Sequence, residues 1–94
     1  MAAPSPTLVL YSKPGCGLCV ETREVLAALL VRRAAEGLSA PEVEERDITV
    51  DPEWERAFFA EIPVLEIGGR RLLLATSAGK IRRFLAEALD PVTA

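Results

Sequence analysis

Apolar positions fall into two kinds of block along this chain: short unbroken runs, and longer stretches with three- and four-residue steps. Leu8, Val9, Leu10 and Tyr11 form a run of strand-formers without alternation, which predicts a strand buried on both faces. Lys13-Pro14-Gly15 breaks it. Between residues 17 and 35, Leu18, Thr22, Val25, Leu26, Leu29 and Leu30 recur at helical steps, while Glu21, Glu24, Arg32 and Glu36 fall on the other side. That pattern predicts a long amphipathic helix with Gly37 as its stop.

Pro41 opens a second extended segment over residues 43–48, whose alternation is poor. Asp51-Pro52-Glu53 is a helix start, with Asp51 as N-cap, proline at the first helical position and an acid in the first turn. This short helix carries Trp54, Ala57 and Phe58 on one side and must end before Pro63, which disfavours helical geometry at Ile62. Residues 63–67 and 70–74 read as a hairpin around Gly68-Gly69. Thr76 or Ser77 caps a last helix whose core stripe is Ile81, Phe84, Leu85 and Leu89. The order β-α-β-α-β-β-α implies an α/β fold. A right-handed parallel strand–helix–strand half and an antiparallel hairpin share a mixed four-stranded sheet, with helices on both faces.

Ninety-four residues, half of them apolar, predict a single domain over 1–94, with residues 1–6 disordered. The formal charge of -3 argues against nucleic-acid binding, which rests on Lys and Arg neutralising phosphates. The pairs Arg32-Arg33, Arg70-Arg71 and Arg82-Arg83 read as solvated faces. The first residues carry no basic or apolar signal region, and the longest apolar run, residues 26–31, is far short of the ~20 a membrane span needs. A cytoplasmic monomer without membrane contact is expected, and two cysteines in such a chain point to catalysis or metal binding.

Cys16-Gly17-Leu18-Cys19 sits where the first strand gives way to the first helix. Three residues is nearly one turn, so both side chains share a face. Cys16, at the N-terminal end, meets free backbone N–H groups and the positive end of the helix dipole. Such placement lowers a thiol pKa from about 8.5 into a range of roughly 3.5–7.5. Cys16 is then the attacking thiolate and Cys19 the deeper thiol that releases the product. Two other readings stay open on the residues alone. The cysteines are small apolar packing residues, or they form a metal-binding or redox-sensing module without turnover. The metal is Cu(I) held by two sulfurs, or zinc in a site shared between chains; a closed zinc site needs four ligands and the chain has no histidine. Ile62-Pro63 is the second feature. On position alone a trans bond is expected, since only about 5–6% of such bonds are cis.

Leu10-Tyr11-Ser12-Lys13-Pro14-Gly15-Cys16-Gly17-Leu18-Cys19, Asp47-Ile48-Thr49-Val50-Asp51-Pro52-Glu53, Ile62-Pro63-Val64-Leu65 and the Gly68-Gly69 turn follow one another in an order that resembles the glutaredoxins. More closely, the chain resembles the short glutaredoxin-like members of the thioredoxin-fold superfamily. The resemblance implies a thioredoxin-like fold and thiol–disulfide exchange through Cys16 and Cys19, with protein or small-molecule disulfides as substrates and a reductase or thiol as donor. It also implies a cis bond at Pro63, packed against the cysteines, and pairing of the Ile62 backbone with an extended substrate. Lys13 matches the lysine that faces the glycyl carboxylate of glutathione.

Glutathione-binding relatives carry Gly-Gly and then an acid before the last helix. Here that stretch reads Leu74-Ala75-Thr76-Ser77-Ala78-Gly79, leaving Ser77 or Thr76 to offer only a hydroxyl. The expectation is no tightly bound cofactor and glutathione as a weak electron donor. The residues between the cysteines are Gly-Leu rather than Pro-Tyr, and Gly15 replaces the tryptophan of true thioredoxins.

Overall fold

The first strand, β1 (Leu8–Ser12), is buried along its whole length, as an unbroken apolar run requires. In the computed structural model, which describes residues 6–90, it is followed by α1 (Gly17–Ala35), β2 (Val43–Asp47), α2 (Pro52–Phe58), β3 (Val64–Ile67), β4 (Arg70–Leu72) and α3 (Ala78–Leu89). The disorder expected over residues 1–6 falls, Pro6 apart, outside the described residues. The sheet order is β2-β1-β3-β4. β1 runs parallel to β2 and antiparallel to β3, and β3 is antiparallel to β4, giving the mixed thioredoxin-like sheet expected.

Side-chain alternation along β1 and β3 divides the core. Leu8, Leu10, Leu65 and Ile67 face α1 and α3, packing with Leu26, Ala75, Ile81, Phe84 and Leu85. Val9, Tyr11 and Val64 face the other way, packing with Ile48, Phe58 of α2, Ile62 and Cys19. The α1 helix ends as Gly37 foretold. Gly37 takes φ +76°, its N–H bonds the Ala34 carbonyl and the Leu38 N–H bonds the Arg33 carbonyl, the two bonds of a Schellman stop. Asp51 caps α2 by accepting the Glu53 N–H at 2.9 Å. The hairpin turns at Gly68-Gly69, where Gly68 alone of the two has positive φ, the pattern of a type II′ turn.

Four expectations of bounds and burial need correction, and one choice is narrowed. The second strand stops at Asp47 rather than residue 48, because the Asp47 carboxylate accepts the Thr49 N–H (2.8 Å) and hydroxyl (2.7 Å) and turns residues 48–50 into a 3₁₀ turn. The last strand stops at Leu72 rather than 74, since the Leu74 and Ala75 N–H groups donate to Glu61 and Pro63 carbonyls instead. Of the two residues expected as the cap of α3, it is Ser77 that serves. Ala57 is exposed, because the seven-residue α2 buries only the line from Trp54 to Phe58. Arg33 is not on a solvated face. Its guanidinium is buried between the ends of α1 and α3, donating to the Ser39 carbonyl at 2.7 Å and pairing with Asp90. The other members of the three arginine pairs are exposed.

Candidate active site

The Pro14-Gly15 turn delivers Cys16 to the N-cap of α1 in extended geometry, φ -91° and ψ 105°. Its Sγ accepts the Cys19 N–H at 3.1 Å, so a backbone donor of the first helical turn points at the sulfur. A thiolate formed there keeps that donor and the positive end of a 19-residue helix, both of which favour the anion. Cys16 is half-buried and Cys19 is 0% exposed, packed among Val9, Tyr11, Ile62 and Val64. The two cysteines are joined in a disulfide. Cys16 keeps part of its surface in solvent and Cys19 keeps none.

The Ile62–Pro63 bond is cis, as the resemblance implied. Pro63 is fully buried, and its flanking residues Ile62 and Val64 belong to the cluster around Cys19. The Ile62 N–H already donates to the Phe58 carbonyl at 3.1 Å, closing the end of α2. Two-bond pairing of Ile62 with an extended substrate therefore has to break that bond, and the Ile62 carbonyl is the group that remains for it.

Lys13 and Ser77 lie outside the cluster around Cys19. Lys13 is exposed and opens onto a cleft of about 300 Å³ lined also by Ser12, Arg23, Glu45 and Asp47, on the β2 side. There the Glu45 carboxylate accepts from the Arg23 guanidinium (2.8 and 2.5 Å) and the Ser12 hydroxyl (2.7 Å). The Arg23 bonds, helped by Ser12, hold the Glu45 carboxyl below its ordinary range against the opposing effect of partial burial. Ser77 accepts the Lys80 N–H at 3.3 Å and so is engaged as a helix cap.

Three features escaped the sequence reading. Leu18, placed there in the core stripe of α1, is 50% exposed, while its neighbour Cys19 takes the buried position in the same turn. Thr22 is buried and donates its hydroxyl to the Ala75 carbonyl at 2.5 Å, tying α1 to the segment before α3. In that segment Leu74 has φ +50°, a left-handed backbone in a leucine. Leu18 was legible from its position between the two cysteines. Leu74 carried no signal, since such conformations are marked in sequence by Gly or Asn. Among the described residues no group of three or more His, Cys, Asp or Glu side chains is placed to hold a metal ion, and no helix is long and apolar enough to cross a membrane.

Comparison with known proteins agrees with this geometry. A solved structure similar to the chain is that of the structural-genomics target protein XcR50 from X. campestris, at 30% identity and a TM-score of 0.69, covering 86% of this chain and 97% of that one. No match is found among the curated proteins. Residues 7–88 match the family model of the Glutaredoxin-like domain, which takes in all four strands and the cysteine pair. The chain belongs to the glutaredoxin-like domain family.

Proposed function

We propose that the protein is a thiol–disulfide oxidoreductase acting on protein or small-molecule disulfides through Cys16 and Cys19. The observation that carries this reading is the asymmetry of the pair: a partly exposed cysteine at a helix N-cap with a backbone donor on its sulfur, and a fully buried one a turn deeper. In the reduced protein the Cys16 thiolate attacks one sulfur of a substrate disulfide. A Cys16–substrate bond forms, the substrate S–S bond breaks and the other half leaves as a thiolate that takes up a proton. Cys19 then loses its proton and attacks the Cys16 sulfur. The second half is released, and the protein is left with the disulfide seen here. Two electrons have passed from dithiol to substrate, and a thiol or a dithiol reductase returns them.

The glutaredoxin-like family and the cysteine pair support a thiol redox role, and a reducing compartment such as the cytoplasm suits a dithiol that must be regenerated. Glutathione is a poor donor in this reading. The uncharged stretch at residues 72–79 offers no carboxylate to the γ-glutamyl ammonium, a loss worth about 1.5–3 kcal/mol when such a contact is well made. At about 1.4 kcal/mol per decade, that weakens binding by roughly ten- to a hundredfold. Reduction of a model disulfide with dithiothreitol as donor tests the reading. Wild type turns over, Cys16→Ser does not, and Cys19→Ser stalls with substrate attached to Cys16. Turnover that survives Cys16→Ser would remove the proposal. Ser77→Asp keeps a good N-cap and should improve glutathione-dependent turnover.

A further inference from the structure

We infer that Leu18 and Leu74 form an apolar rim beside Cys16 that selects substrate disulfides whose cysteine is flanked by apolar residues in an extended peptide. The inference rests on the oxidoreductase reading above and names its substrate class. Leu74 carries most of the argument. Its φ of +50° lies in the left-handed region, which an L side chain other than Asn or Asp rarely adopts. The surroundings enforce it. The Leu74 N–H donates to Glu61 (2.9 Å), its carbonyl accepts the Thr76 N–H (2.8 Å), and Ala75 is held on both sides by Pro63 (2.8 Å) and Thr22 (2.5 Å). The leucine side chain so placed is 45% exposed. A strained backbone that presents an apolar side chain to solvent gains little for the fold itself, and strain of this kind collects at sites that bind something.

The location points to what is bound. Glu61 and Pro63, the partners of Leu74 and Ala75, bracket Ile62, whose carbonyl remains for pairing with an extended chain. Leu18 lies one turn before Thr22 on the same stripe of α1 and carries the exposed apolar side chain between the two cysteines. The two leucines thus border the approach to Cys16 from α1 and from the segment before α3. Residues 72–79 carry no charge, so nothing on that side answers the charged ends of a tripeptide such as glutathione. An apolar side chain next to the substrate cysteine fits.

The test uses two synthetic substrates with dithiothreitol as reductant, which ends as its cyclic disulfide while each peptide dimer ends as two thiols. One is the disulfide dimer of acetyl-Gly-Leu-Cys-Leu-Gly-amide; the other has Ser for both Leu. Wild type should show kcat/KM about tenfold higher for the leucine dimer, the size expected from partly burying a leucine side chain, with the difference in KM. In Leu74→Ser and in Leu74→Gly that preference should fall toward parity. Leu74→Gly should also raise Tm, because glycine accepts the left-handed backbone without strain. Parity in the wild type, a preference that survives both variants, or a lower Tm in Leu74→Gly would overturn the inference while leaving the oxidoreductase reading intact. Failure of the wild type to reduce either dimer would remove both.

Discussion

On one face of the sheet α1 and α3, 19 and 12 residues long, cover Leu8, Leu10, Leu65 and Ile67 with a wholly apolar cluster. On the other, α2 has seven residues and covers only Val9, Tyr11, Val64 and the neighbourhood of Cys19. Where α2 stops, a polar strip runs across all four strands. Arg46 pairs with Glu44 and donates to the Tyr11 hydroxyl at 3.1 Å; Tyr11 reaches Glu66 at 3.4 Å, and Arg71 pairs with Glu66 at 2.5 Å. Arg46 also lies 5.3 Å from the Trp54 ring centroid and 5.6 Å from that of Tyr11. The thick face holds the sheet together. The thin face takes Cys19 fully into its apolar cluster, while Cys16 packs at the edge of that cluster and stays partly exposed.

The sharpest way to break this comparison is to truncate the thick face. Leu65→Ala removes a fully buried side chain between sheet and helices and should lower stability by about 2–5 kcal/mol in urea unfolding. Activity per folded molecule should change little, because Leu65 points away from the cysteines. A large loss of turnover in the folded variant would show that the two faces are not independent.

On the thin face, Tyr11→Phe keeps the ring packed against Phe58, 4.4 Å between centroids, and deletes only the hydroxyl that joins Arg46 to Glu66. The expected loss is about 0.5–1.5 kcal/mol, read by the same unfolding measurement. A loss as large as that of Leu65→Ala would mean that the polar strip, rather than the apolar cluster, holds this face.

The smallest effect belongs to Glu45, at the mouth of the cleft beside Lys13. Its folded pKa lies below its unfolded value, first through the Arg23 hydrogen bonds. The stability it contributes is therefore fully present above the unfolded carboxyl value of about 4.3 and is lost as pH falls through the lower folded value. Wild type should melt slightly above Glu45→Gln near neutral pH, and the gap should close in acid. A gap that widens on acidification would reverse the sign and rule out the pair as its source.

Much of the molecule follows from local pattern. The doubly buried β1, the long α1 with its Gly37 stop, the Asp51-Pro52 start of α2 and the glycine hairpin each depend on neighbours a few residues away, so their order and the mixed sheet were readable in the chain. The placement of Cys16 at a helix start was readable for the same reason. Tertiary structure decided the rest. Arg33 is buried only because the end of α3 brings Asp90 to it, 57 residues along the chain. Leu18 is exposed because the face that α1 buries in its first turn is that of Cys19. Leu74 is left-handed because hydrogen bonds to residues 61–63 and the Thr22 bond to Ala75 hold the segment from two sides. Periodicity reports which face of an element is apolar; what stands opposite that face depends on contacts between distant residues, and those contacts shape the surroundings of Cys16.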